Sequence, residues 1–163
     1  MGSGEPLLNL DAVLRAIRVL GEPAGLHLGR RRFVVSTCGV PDGIRRLAAE
    51  EPQVTLALSL HACRQDLRER LVPAAKRWRL DAVLEAVDHH VQATHRRPTF
   101  EYCLLADANM AAGDAEALAT LARAHHANGA KFVHRVQRGC FPSKSKGPLE
   151  RREEPRRFEL RTI

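Results

Sequence analysis

The chain has 163 residues, 44% of them hydrophobic, which suits one domain with a buried core. No apolar run approaches the roughly 18 to 20 residues of a membrane span, and no charged-then-apolar leader opens the chain, so a soluble, cytoplasmic protein without a membrane partner is expected. Cys38, Cys63, Cys103 and Cys140 are widely spaced with no CxxC pair, which excludes a secreted disulfide framework, and the net charge of +7 favours a polyanionic partner.

In chain order, a Gly-Ser-Gly-Glu-Pro turn opens residues 2–9. Leu10, Val13, Leu14, Ile17 and Leu20 then recur at helical spacing, with Asp11 in the first turn and Gly21 at the stop. Residues 31–36 form a β-prone run, followed by Thr37, Cys38 and Gly39 and a helix over residues 42–50. Residues 54–60 are apolar on both faces, as in a parallel strand covered by helices. A longer helical region follows, in which Leu80, Val83, Leu84, Val87 and Val91 mark an inner face after a break at Pro73. A strand over residues 99–105, a helix over 114–127 and a last strand over 131–136 complete the pattern. From residue 138 onward eight Lys or Arg stand against four Glu, with prolines, serines and charge runs. This predicts an α/β domain over residues 1–137 and a basic, irregular tail over 138–163.

Alternating strands and helices predict a parallel sheet with right-handed crossovers, open or part of a barrel, with ligands at the carboxyl ends of the strands. That rim gathers residues 2–9, Ser36 to Gly39, Ser59 to His61, and Asp107 to Asn109. In the Gly-rich turn, backbone carbonyls can accept from an ammonium group while Glu5 adds negative charge. Ser36 and Ser59 offer hydroxyls and His61 a ring nitrogen, so a small polar cofactor suits the rim.

GSGEPLLN at residues 2–9, RRFVVSTCGVPDGIRRLA at 31–48, VTLALSLHA at 54–62, LRERLVP at 67–73 and FEYCLL at 100–105 resemble one enzyme family in order and spacing. These are the radical S-adenosylmethionine (SAM) dual-specificity enzymes that methylate C-2 of an adenine in 23S rRNA and tRNA. The resemblance runs to about Ala130. It implies a partial (β/α) barrel of the radical SAM type, SAM and a [4Fe–4S] cluster as cofactors, and 23S rRNA and tRNA as partners. It also implies that Gly4, Glu5 and Ser36 meet the methionine part of SAM, and that Ser59, Leu60 and His61 correspond to the family's Ser-Leu-His contacts.

The departures carry information too. The family holds its cluster in a CxxxCxxC loop upstream of the Gly-Glu-Pro turn, because three thiolates bind three irons and leave the fourth open. No pair among the four cysteines has that spacing, and Cys140 lacks the Ala-Cys-Gly setting of the family's methyl-carrying cysteine. Residues 131–137 lack the family's Asn at a strand tip. A truncated product with a tail read in a shifted frame, inactive by itself, is therefore expected; no catalytic residue or metal ligand is assigned on this chain. The rival reading is a noncatalytic basic domain that associates with RNA or ribosomes and retains a SAM-like pocket.

Other residues carry plainer expectations. His89, His90, His95, His125, His126 and His134 fit no zinc pattern and read as surface or helix-end groups. Cys38 and Cys103 read as packing residues. The arginines at 30–32 and 96–97 precede strands and should lie on the rim opposite the ligand.

Overall fold

The computed structural model describes residues 4–106, 108–127 and 130–133. Among these residues four strands, β1 (Val34–Thr37), β2 (Thr55–Ser59), β3 (Thr99–Cys103) and β4 (Ala130–Val133), form one sheet in the order β1-β2-β3-β4. All three pairings are parallel, with Ser36 opposite Ala57 and Ser59 opposite Glu101. Among the described residues five helices accompany them: α1 (Leu10–Leu20), α2 (Pro41–Glu50), α3 (Gln65–Leu71), α4 (Leu80–Thr94) and α5 (Ala112–Ala124). The chain is thus α/β with a wholly parallel sheet, as the alternation predicted, and it forms part of a (β/α) barrel.

Side chains alternate across a strand, so each strand divides its residues between two faces. Val35, Leu56, Leu58, Phe100 and Tyr102 are buried on one face in a core shared with Ile44 and Leu47 of α2 and with Val83, Ala86 and Val87 of α4. Helices α2 and α4 pack against each other over this face. The opposite face carries Val34, Ser36, Ser59 and Glu101, and its polar character comes from that alternation.

The helix ends follow ordinary rules. Gly21 caps α1 with its N–H on the Ile17 carbonyl at 3.0 Å, and Arg30 donates to the same oxygen at 2.6 Å. Arg30 also pairs with the buried Glu51 at 3.2 Å. Pro41 opens α2, where its missing N–H costs nothing. His95 closes α4 in the left-handed region at φ 56.

Two expectations change and one is refined. Residues 30–32 form a short 3-10 turn, so β1 begins at Val34 and not at residue 31. The helical region expected after β2 divides at the Pro73 break into α3 and α4, with a 3-10 turn at Pro73–Lys76 between them. His90 is 1% exposed and belongs to no surface: α4 is rotated so that Ala86 and His90 face inward while Leu84 is half-buried. The arginine runs at 30–32 and 96–97 do precede β1 and β3, on the rim away from the strands' carboxyl ends. His134, Cys140 and the tail from residue 138, with the domain boundary drawn there, lie outside the described residues.

Burial, with the charges of Arg96 and His89 nearby, pushes the His90 imidazole down to about 4. A group whose neutral form the fold protects binds fewer protons folded than unfolded between its two pKa values. Its contribution is complete above pH ~6.5 and is lost as the pH falls from there towards 4. Urea unfolding should therefore find the protein about 2 to 3 kcal/mol less stable at pH 4.5 than at 7.5 from this group. In a His90→Leu variant that part of the pH dependence should vanish; an unchanged slope would refute the assignment.

Candidate functional site

The site is assembled at the carboxyl ends of β1, β2 and β3. Glu5 caps the 3-10 turn Pro6–Asn9 by accepting from the Leu7 N–H at 3.1 Å. The same oxygen accepts from the Thr37 hydroxyl at 2.7 Å, and the other accepts from the Cys38 N–H at 2.8 Å. The carboxylate expected to face a ligand thus also latches its own loop across the end of β1. Gly43 makes the latch possible, since a Cβ there would lie 2.7 Å from the Leu7 Cβ, so α2 approaches the loop backbone closely. Gly4 takes φ +91, a conformation open to glycine, and a Cβ built on it would meet nothing within 4 Å. Its backbone is therefore bare toward the space beside it.

That space is an open cleft of ≈ 1030 Å³ lined by Gly4, Glu5, Ser36, Thr37, Ser59 and His61, with Leu71, Val72 and Pro73 among its other walls. Small-molecule sites commonly run to ~300–1,000 Å³, so a nucleoside joined to an amino acid has room in it. Five of the six residues singled out in the sequence converge on it. Leu60 does not line it: the side chain is fully buried, the N–H donates to the Glu101 carbonyl at 3.0 Å, and the carbonyl accepts from the Ala62 N–H at 2.8 Å.

His61 sits at φ 57 with its Nδ1 accepting from the Cys103 N–H at 3.1 Å. That bond fixes the neutral tautomer with the proton on Nε2. Burial and then the Arg68 charge hold the ring's pKa below its ordinary value, so it remains a neutral donor at Nε2.

Three residues that the motifs did not single out hold the rim together. Arg68, fully buried on α3, donates its Nε to the Leu60 carbonyl at 3.2 Å and an Nη to the Cys38 carbonyl, joining the ends of β1 and β2. Asn109, 1% exposed, donates to the carbonyls of His61 and Cys103, both at 2.8 Å, and accepts from the Leu105 N–H at 2.8 Å. Glu101 accepts from both serine hydroxyls, Ser36 at 2.8 Å and Ser59 at 3.2 Å. For Arg68 the LRERLVP segment was a signal without a role; for Glu101 the signal was a lone acid in an otherwise apolar strand. Asp107 lies outside the described residues.

An iron–sulfur cluster does not fit the side chains in view. Among the described residues no three His, Cys, Asp or Glu side chains converge as a metal site. Burial and then the Glu5 hydrogen bond push the Cys38 thiol up to about 12, and burial pushes Cys63 up to about 11. Iron ligation needs thiolates, and these thiols are held protonated.

No protein-family model matches the chain. Individual proteins do. It is 44% identical over 128 residues to a probable dual-specificity RNA methyltransferase of Syntrophomonas wolfei, covering 78% of this chain and 36% of that one. A protein of the same description from Pelotomaculum thermopropionicum is 50% identical over 121 residues, covering 74% and 33%. The crystal structure of a radical SAM methyltransferase from Sphaerobacter thermophilus superposes with a TM-score of 0.73 at 46% identity, covering 76% of this chain and 36% of its own. Sequence, sheet topology and rim agree: the chain belongs to the radical SAM dual-specificity RNA methyltransferase family and spans about a third of the length of the relatives it matches.

Proposed function

We propose that this chain is the SAM-holding part of a cytoplasmic radical SAM RNA methyltransferase whose intact form methylates an adenine of 23S rRNA and tRNA. The observation that carries the reading is the convergence of Gly4, Glu5, Ser36, Ser59 and His61 on one cleft at the strands' carboxyl ends. In the family SAM, when bound, supplies the methyl group and the precursor of the radical.

The chain's own residues then have distinct tasks. The bare backbone at Gly4 offers carbonyls to the ligand's ammonium group, and Glu5 adds negative charge while keeping that backbone fixed against β1. Ser36 and Ser59 meet the ligand with their hydroxyl oxygens. His61 offers its Nε2 proton to a ligand acceptor. Leu60 contributes through the shape of the β2 end. Electrons and acceptor chemistry fall outside these residues, because the described thiols do not fit a cluster.

Calorimetric titration of the full chain with SAM tests the reading. Saturable binding, displaced by S-adenosylhomocysteine and not by ATP, is the expected result. A flat titration would remove SAM from this cleft.

A further inference from the structure

The geometry points to Glu101 as a positioning residue that sets the hydrogen-bond polarity of the Ser36–Ser59 corner, making it an acceptor for the ammonium and sugar-hydroxyl donors of the bound ligand. This rests on the SAM-binding reading and adds a residue that the family motif does not assign.

A serine hydroxyl has one proton and two lone pairs, whereas a carboxylate can accept and cannot donate. Ser36 and Ser59 direct their protons to the same carboxylate oxygen, Glu101 Oε2, at 2.8 Å and 3.2 Å. Their own oxygens lie 3.5 Å apart. With both protons committed to Glu101, any other hydrogen bond made by either oxygen is one it accepts. Both serines line the cleft, so this corner presents two acceptors backed by a negative charge. It suits hydroxyl or ammonium groups of a ligand and disfavours a phosphate or carboxylate.

Register makes the arrangement rigid. Glu101 is the direct neighbour of Ser59 in the β2–β3 pairing, and Ser36 lies on the next strand over. The Glu101 backbone carbonyl also accepts from the N–H groups of Leu60, at 3.0 Å, and His61, at 3.3 Å. One residue therefore aligns two hydroxyls by its side chain and the His61 turn by its main chain.

The test is the affinity of the full chain for SAM in three variants, each checked by its melting temperature. Glu101→Leu keeps much of the volume and removes the acceptor, freeing both hydroxyl protons to rotate; binding should weaken at least about tenfold. Glu101→Gln keeps an amide oxygen that can accept both protons without the charge, and its affinity should stay within about threefold of wild type. Ser59→Ala deletes one oriented hydroxyl and should weaken binding at least about threefold, which keeps the test open if the leucine variant does not fold. Unchanged binding in Glu101→Leu or in Ser59→Ala would overturn the inference, as would equal losses in the leucine and glutamine variants, which would assign the effect to charge alone. Absence of SAM binding by the wild-type chain would instead remove the functional reading and the inference with it.

Discussion

Replacing Arg68 with alanine should destabilise the protein by about 3 kcal/mol, the largest effect expected of any single change at the rim. The side chain is fully buried, so its removal leaves a cavity beneath the strand ends, and the Cys38 and Leu60 carbonyls lose a donor. Methionine should cost far less, about 1 kcal/mol. It fills the stem's volume and also relieves the burial of a guanidinium whose other Nη has no hydrogen-bond partner among the described residues. That burial already holds the Arg68 pKa below its ordinary value. Stability and function should therefore separate: both variants release the ends of β1 and β2, so both should weaken SAM, while the alanine variant alone shows a large drop in urea midpoint. Equal stabilities of the two variants would refute this division between packing and hydrogen bonding.

Glu5→Gln should cost about 2 kcal/mol and abolish detectable SAM binding. The carboxylate takes three donors, the Leu7 N–H, the Thr37 hydroxyl and the Cys38 N–H, spread over both its oxygens. An amide has one acceptor oxygen. Its NH₂ must then face at least one backbone N–H, a donor set against a donor, and the loop latch opens at that point. Amide hydrogen exchange at Leu7 and Cys38 should accelerate together, since the two bonds share one side chain. Acceleration at Leu7 alone would reduce Glu5 to a helix cap with no hold on β1.

Much of the fold was legible because periodicity was strong. α1 begins and ends where Leu10, Leu14 and Ile17, Asp11 and Gly21 place it, and β2 announces itself by apolar residues on both faces. The missed bounds had weak signals. α3 is seven residues long and carries four charges, and the arginine run before β1 looked extended because β-prone residues follow it. His90 was recoverable: it continues the line of Val83, Ala86 and Val87, three to four residues apart along α4, which a helix brings to one face. The candidate site divides in the same way. Gly4, Glu5, Ser36, Ser59 and His61 were legible because the family motif names them and the strand-end rule collects them. The roles of Arg68, Asn109 and Glu101 depend on contacts across 4 to 65 residues, such as the bond from Ser36 to Glu101, and no local pattern encodes the long ones.

The cysteines show why the resemblance transfers residue by residue and not wholesale. Cys38 stands beside Gly39 at the strand end, in a position that looks poised for chemistry. Burial and then Glu5 keep its thiol protonated, and its backbone N–H and carbonyl serve the latch and the Arg68 staple. The cleft gathers the residues of the proposed SAM grip without a thiolate among its described walls.

The cleft at the strand ends is proposed to hold SAM by its amino-acid end against the Gly4–Glu5 turn. Amide NMR spectra of the full chain, recorded through the SAM titration, test it residue by residue. Saturating shifts are expected at Gly4, Glu5, Ser36, Ser59 and His61, with S-adenosylhomocysteine shifting the same set and methionine shifting the Gly4–Glu5 end. Saturating shifts confined to other surfaces, with these five residues unmoved, would contradict it.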